Sequence, residues 1–446
     1  MESLRSGDGR RDPADGPLVT RRRELADVSR GAVLDAFEPP RSLWTPPDGP
    51  AIAGWGAAST IAADGPDRFA AVRDAAERLF SGLDADGETA VARPRLFGGF
   101  AFHDDHEPVG PWEGFAGARF VLPQVQLVWS EDGVWLTVAA VDPPDLDAVD
   151  RRLDAVAEEI EARASTVESA APPGVVERER TTSREEWRRQ VRAAVERIEG
   201  GDLRKVVLAQ ALSTELGAPL SVPGAMARLD EAYPDCHRFL VQPEAGASFF
   251  GATPERLVAL SGRTVRTEAL AGSTGRGDTP EEDEWLANEL LDSEKDIHEH
   301  ELVAEAVREQ LAPFAGSIRT GQRTVRKLPT VQHLQTPITA ELDDVEHVLS
   351  LVEALHPTPA VGGLPPETAW ETIKETETFD RGWYAAPVGW FDAAGDGAFA
   401  VGIRSALARG DRATLFAGAG IVADSDPDRE WDEVQLKYGP MLDALE

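Results

Sequence analysis

Hydrophobic and polar positions alternate along the chain in two rhythms. Between Asp67 and Leu83, Phe69, Val72, Ala76, Leu79 and Phe80 recur at helical intervals, which predicts an amphipathic helix. Further helices are expected over Leu146–Ala164, from Ser183 (an N-cap with Glu186 at the capping-box position) to about Glu199, over Gly224–Tyr233, Val345–Leu355 and Pro365–Glu377. Thr279–Phe314 is long and helical, with a break expected near Asp292-Ser293. Ile52–Ile61, with Gly54 and Gly56, predicts a strand and turn, and β-rich runs at Phe97–Phe102, Phe120–Trp129, Val134–Val141, Lys205–Ala211, Arg238–Gln242, Ser248–Gly251, Arg323–Gln335, Pro387–Phe391, Ala398–Ala408 and Thr414–Ala417 predict strands. Leu257–Ser261 with Thr264–Glu268 predicts a hairpin. Long sheets with helices outside them predict an α+β fold.

The most informative stretch is Phe416–Leu442. Its apolar run is expected to end in a glycine turn at Gly418-Ala419-Gly420. Asp426 is a good N-cap and Pro427 suits the first helical position, so a helix should run from there until Gly439-Pro440 stops it. Glu430, Glu433 and Lys437 then share one helix face. Two acids and a lysine behind a glycine turn suit a metal ion and an anion; a solvated helix with one ion pair is the plainer alternative.

Composition narrows the class. The chain has 446 residues with Asp+Glu 79 against Lys+Arg 45, a formal charge of −34. Nucleic acid and anionic membrane would be repelled. A hydrophobic content of 42% argues against an acidic disordered chain. No apolar run approaches the ~18 residues of a membrane helix, and the N-terminus lacks a secretory apolar region. With Cys236 as the lone cysteine, no intrachain disulfide is possible, and a reducing, cytoplasmic setting is expected. Residues 1–16 are expected to be a disordered leader, 17–164 an N-terminal part of the same fold, 165–182 linker-like, and 183–442 the catalytic region. The five lysines are Lys205, Lys295, Lys327, Lys374 and Lys437. Lysine scarcity on an acidic surface resembles adaptation to a salty cytoplasm, and it draws attention to each lysine, since an amine can lose its proton where a guanidinium cannot.

Several residues could carry chemistry. Lys205 opens an apolar strand and is either snorkelling or a desolvated general base. Glu255 lies at a Thr-Pro corner after an apolar strand, as an acid of raised pKa or an ordinary turn residue. Asp296 and Glu299 repeat the three-residue spacing of Glu430 and Glu433, so two helices together could offer oxygen ligands suited to Mg²⁺. His333 is either a core histidine or a functional one. Walker A, GxSxG, GxGxxG and HExxH patterns are absent.

Taken together, the stretches KVVLAQ at Lys205, FFGATPERLV at Glu255, ALAGSTGRG from Ala269, SEKDIHEHELV at Glu299, VQHLQTPI at His333, LHPTPAVGGLP from Leu355, RGWYAAPVGW from Arg381, FAVGIRSA at Arg404 and AGAGIVADSDPDREWDEVQLK resemble the chorismate-utilising enzymes. The resemblance spans about residues 183–442 and points to the isochorismate synthase branch, through Lys205 and through Ala271, where aminodeoxychorismate synthases commonly carry a lysine. It implies two packed antiparallel sheets with outer helices, the anthranilate-synthase-type fold. It also implies Mg²⁺ on Glu299 and Glu433, with Asp296 and Glu430 supporting it through water. Lys205 would be the base for water attacking C2 of chorismate, and Glu255 the acid for the departing C4 hydroxyl. Arg404, Tyr384, Lys437 and the amides of Gly418, Ala419 and Gly420 would hold the carboxylates, His333 would line the ring pocket, and Gly272 would sit in a contact loop. The implied pathway is menaquinone synthesis, by a monomer with no glutaminase subunit. A salicylate synthase, which goes on to eliminate pyruvate, has the same base and acid. A non-catalytic acidic ion-binding protein is the rival from another class, but it needs neither Lys205 nor Glu255. Two departures from the family pattern stand out: Ala209-Gln210 where Ser-Arg is common, and Ser273 within AGST.

The charge generates a prediction of its own. Self-repulsion from −34 charges is relieved by screening, so the melting temperature should rise with KCl up to molar levels. A melting temperature equal at low and molar salt would remove the salt-adaptation reading.

Overall fold

The computed structural model describes residues 16–446 apart from 27, 35–37, 88, 163–169 and 245, so residues 1–15 of the leader expected at 1–16 lie outside the described residues. Among these residues the chain forms two large sheets, of 13 and 10 strands, with almost entirely antiparallel pairing. In the first, Lys205–Leu216 pairs with Arg412–Ile421, which pairs with Ser405–Arg409; that strand pairs with Ser248–Thr253. In the second, Val331–Leu342 pairs with Thr264–Gly275, followed by Arg256–Ser261, Gly397–Val401 and Pro387–Asp392. Strands from the N-terminal part enter both sheets: Arg41–Thr45 pairs with His237–Gln242, and Arg95–Phe100 pairs with Pro387–Asp392.

An aromatic layer fills part of the core. Phe120 packs with Phe391 and Phe399, and Trp383 packs edge-on with Phe115 and Phe249. These rings are fully buried, and burying each contributes roughly 1.5–3 kcal/mol. Helices cover the outside. The break expected near Asp292-Ser293 is present: Pro280–Asp292 gives way to Glu294–Leu311, with the Ser293 hydroxyl accepting from the Asp296 amide as N-cap.

Three expectations are corrected. Gly418-Ala419-Gly420 is not a turn; it continues the strand Arg412–Ile421, held in register against Val207–Ala209. The turn signal is local, whereas long-range pairing and burial decide the conformation. The C-terminal helix does not stop at Gly439-Pro440 but runs Pro427–Leu445. Beyond the proline, Met441, Ala444 and Leu445 are buried, and the Arg228 guanidinium Nε and the Gly174 amide donate to the carbonyls of Ala444 and Leu445. Packing there outweighs the hydrogen bond that Pro440 cannot donate. The stretch expected to be linker ends in an edge strand, Val175–Arg180, paired with Lys205–Leu216. Its side chains are mostly exposed, which is why it lacks an apolar signature.

Candidate active site

Two of the places where the chain crosses from one sheet to the other build the site. Ser248–Thr253 leaves the first sheet and Arg256–Ser261 enters the second; Glu255 sits at the crossing. Gly397–Val401 leaves the second sheet and Ser405–Arg409 enters the first; Arg404 sits there, with φ of 49°, a left-handed conformation rare for a residue with a side chain. The Arg404 carbonyl accepts from the Ala252 amide at 3.1 Å, which fixes this strained corner. Val207, Gly418 and Gly420 of the first sheet, Gly272, Ser273 and His333 of the second, Tyr384, and Glu299, Glu433 and Lys437 on two helices complete the walls. Together they line one small cavity on which their polar groups converge.

Glu255 is almost fully buried. Burial, followed by the nearby Glu268 charge, pushes its carboxyl up to about 8, against the pull of Lys205, Arg404 and a Thr358 hydroxyl 3.5 Å away. At neutral pH it therefore carries a proton it can give. Its amide donates to Thr253 Oγ1 at 3.2 Å, and its carbonyl accepts from the Val401 amide at 3.0 Å.

Lys205 is 1% exposed, and its Nζ lies 2.8 Å from Glu299 Oε1. It stands just behind the cavity wall, next to Gly420. A Cβ on Gly420 would come within 2.6 Å of Glu299 Oε1 and 3.0 Å of Lys205 Cε, so only glycine leaves room for the pair. Burial pushes the Glu299 carboxyl up, but Lys205 outweighs it through charge and hydrogen bond, and the net direction is down. The plainer alternative for Lys205, snorkelling at an edge, is not what the chain does.

His333 accepts from Arg404 Nη2 on Nε2 at 3.2 Å. A guanidinium only donates, so the proton of the neutral ring is on Nδ1, where it is donated to Ser273 Oγ at 2.9 Å. Burial, with Arg404 beside it, holds this ring well below the usual histidine range. The Ser273 departure thus supplies the acceptor that orients His333. Gly272, with φ of +74°, forms a bulge where an added Cβ would meet Asp296 Cβ at 3.1 Å. Lys437 Nζ donates to the Gly418 carbonyl at 2.8 Å and lies 2.5 Å from Glu433. Burial pushes the Tyr384 phenol up to about 12, so it stays a neutral donor.

The structure does not bring all the expected residues to one wall. Ala419 is fully buried and faces away from the cavity, because strand alternation presents only Gly418 and Gly420. Asp296 and Glu430 line a larger outer cavity that shares Ser273, Glu299 and Glu433 with the first. Each is already engaged: Ser293 Oγ donates to Asp296 at 2.5 Å, and Lys295 Nζ donates to Glu430 at 3.0 Å. Among the described residues no three acidic, histidine or cysteine side chains converge on one point. The donors still suit a hard divalent cation. Burial and then the Glu433 charge push Glu430 up to about 7, and burial, with Glu299 and Glu433 contributing, raises Asp296. A cation on the two cavity-facing carboxylates, Glu299 and Glu433, would relieve that crowding.

Some site residues were not anticipated. Thr358 lay inside the quoted LHPTPAVGGLP stretch without a role. Lys295 was flagged only by lysine scarcity. Behind Ala209, Arg381 donates to the Val207 and Val361 carbonyls at 2.8 Å each and pairs with Glu377, while Glu377 accepts from the Ala209 amide at 2.8 Å.

Glu255 yields a prediction with a definite sign. Its folded value of about 8 lies above the ordinary 4.5. Between those values the folded chain keeps a proton that the unfolded chain has lost, so stability falls as pH rises through this window and levels off above it. Glu255→Gln lacks that loss. Its melting temperature relative to the parent should therefore climb from pH 5 to 8 and then stay level, measured by thermal shift. A constant difference would show that Glu255 is not held protonated.

A family model described as chorismate binding enzyme matches residues 11–446. The chain is 37% identical over 355 residues to isochorismate synthase MenF of Bacillus subtilis, covering 79% of this chain and 74% of that one. It is 37% identical over 420 residues to the salicylate biosynthesis isochorismate synthase of Pseudomonas aeruginosa, covering 92% and 86%. Among solved structures, MenF, the menaquinone-specific isochorismate synthase from Escherichia coli, superposes with a TM-score of 0.81 at 23% identity, covering 98% of this chain and 96% of that one. Anthranilate synthase component I from Streptococcus pneumoniae superposes with a TM-score of 0.73 at 20% identity, covering 89% and 92%. At those identities the structural likeness speaks for the fold. With its matched sequence and its α+β architecture of two antiparallel-rich sheets, the chain belongs to the chorismate-binding enzyme family.

Proposed function

We propose that the chain is a Mg²⁺-dependent isochorismate synthase, converting chorismate to isochorismate by adding water at C2 and losing the C4 hydroxyl. The observation that carries this is Glu255, a buried carboxyl holding its proton on a cavity that Lys205 adjoins. The names of the relatives point the same way. Lys205, once in its neutral amine form, takes a proton from the water that bonds to C2. The ring double bonds shift, the C4–O bond breaks, and the Glu255 proton goes to the leaving oxygen. One water enters and one leaves, so the reaction is an isomerisation. Each partner of such an acid–base pair is typically worth roughly 10²–10⁴ in rate.

Arg404 and Lys437 face the cavity with fixed positive charge, suited to the substrate's two carboxylates, and Tyr384 and the Gly418–Gly420 backbone add donors. His333, neutral and oriented from both sides, lines the ring pocket. Glu299 and Glu433 would hold Mg²⁺, with Asp296 and Glu430 behind them; bound there, the ion would neutralise the ring carboxylate. Menaquinone synthesis, a monomeric state, a cytoplasmic setting and salt adaptation belong to the same proposal. No described helix is long and apolar enough to cross a membrane.

Purified protein given chorismate and Mg²⁺ should form isochorismate and release no pyruvate unless a separate lyase is added. Pyruvate in the absence of a lyase would make the chain a salicylate synthase. Glu433→Gln should lose Mg²⁺-dependent turnover while staying folded, and normal turnover at low Mg²⁺ would reject the ligand assignment. Lys205→Arg keeps the charge but cannot deprotonate near neutral pH, and should lose roughly 10²–10⁴ in rate. Lys205→Ala should be partly rescued by small amines, increasingly with their basicity. An arginine variant within a few-fold of the parent would return Lys205 to a structural role.

A further inference from the structure

Glu268 lies on the strand Thr264–Gly275, with its side chain buried. Its Oε1 accepts from the Arg256 amide at 2.9 Å, and its Oε2 accepts from the Gln335 side-chain amide. Arg326 Nη1 lies 3.5 Å from the same carboxylate and donates to the Pro254 carbonyl at 2.8 Å, while its Nη2 donates to the Asp235 carbonyl at 2.5 Å. The residues on either side of Glu255 are therefore both tied to one ion pair. We infer that Glu268 is the positioning residue of the acid: with Arg326 it clamps the backbone before and after Glu255, and its buried negative charge keeps the Glu255 proton in place. This rests on the assignment of Glu255 as general acid.

The clamp alone does not require a charge, since a glutamine oxygen could accept from the Arg256 amide equally well. A second carboxylate beside a buried acid is a cost that a purely structural role leaves unexplained. The groups that act on Glu255 divide by sign. Lys205 and Arg404 favour its ionised form, as does the Thr358 hydroxyl; Tyr384 faces it as a neutral phenol; Glu268 is the nearby charge that opposes ionisation. Without Glu268, Lys205 and Arg404 act unopposed, and Arg326 loses its counter-charge. Glu255 would then ionise within the working pH range and lose the proton it must give.

The test compares kcat–pH profiles for chorismate at saturating Mg²⁺ in the parent, Glu268→Gln and Glu268→Asp. The glutamine variant keeps the amide contact and removes the charge. Its basic limb should move down by about one pH unit, making it about tenfold slower than the parent above the limb, with KM nearly unchanged. The aspartate variant keeps the charge on a shorter arm, and should lose rate at every pH with its basic limb unmoved. A glutamine limb equal to the parent's overturns the inference, as does an aspartate limb displaced as far as the glutamine one. If the glutamine variant does not fold, the aspartate limb alone decides. Glu255→Gln separates the two levels: a basic limb that survives in that variant defeats the general-acid assignment itself, whereas its loss together with an unmoved Glu268→Gln limb defeats only the role of Glu268.

Discussion

The buried pair between Lys205 and Glu299 is the constraint on which the site depends. A lone ammonium or carboxylate at that depth would cost several kcal/mol, so each residue stabilises the other's charge. Lys205 belongs to the first sheet and Glu299 to the helix Glu294–Leu311, which lies on the second sheet against Thr264–Gly275. The pair thus fastens a helix of one layer to the opening residue of a strand in the other. Gly420 lies beneath it with no room for a Cβ, which ties Arg412–Ile421 into the same arrangement. The C-terminal helix follows through Lys437, whose ammonium bridges the Gly418 carbonyl and Glu433.

Polar groups concentrate where the sheets exchange strands, for a physical reason. Elsewhere the space between the layers is filled by rings such as Phe120, Phe391 and Trp383, which need no partners. At the crossings the backbone leaves its ladder, and its carbonyls and amides must be satisfied by other means. Arg326 serves Pro254, and the Val401 amide serves Glu255. The same breaks in the ladder adjoin the cavity, and Arg404, at one of them, faces it with positive charge.

Much of this was legible from the sequence where the signal was local. The helix break near Asp292-Ser293, the N-cap Asp426, the i,i+3 acid pairs and the lysine opening an apolar strand all follow from spacing and residue type. What escaped was set by distant contacts. Gly418-Ala419-Gly420 has the composition of a turn, yet pairing with Val207–Ala209 makes it strand and sends Ala419 away from the cavity. Pro440 has the signature of a helix stop, yet the burial of Met441 and Leu445 carries the helix on. Thr358 and Glu268 take their roles from Glu255, which is about 100 residues from the first, and neither partner is visible in a window of neighbours.

The distribution of lysine becomes intelligible once these contacts are seen together. In a chain with 45 basic residues only five are lysine, so 45 minus five, or forty, are arginine. Three of the five, Lys205, Lys295 and Lys437, each sit against one of the site's glutamates, Glu299, Glu430 and Glu433. A guanidinium there would present a wide planar fork and hold two carboxylate oxygens at once. An ammonium is a compact point charge that engages one oxygen and leaves the other free for a cation or water. It can also give up its proton, which the proposed base must do. Elsewhere, on exposed faces where charge needs only to be balanced, arginine suffices, as at Arg184 and Arg188 with Asp428. Lysine is thus the cation set against the site's glutamates, while most of the exposed positive charge is arginine.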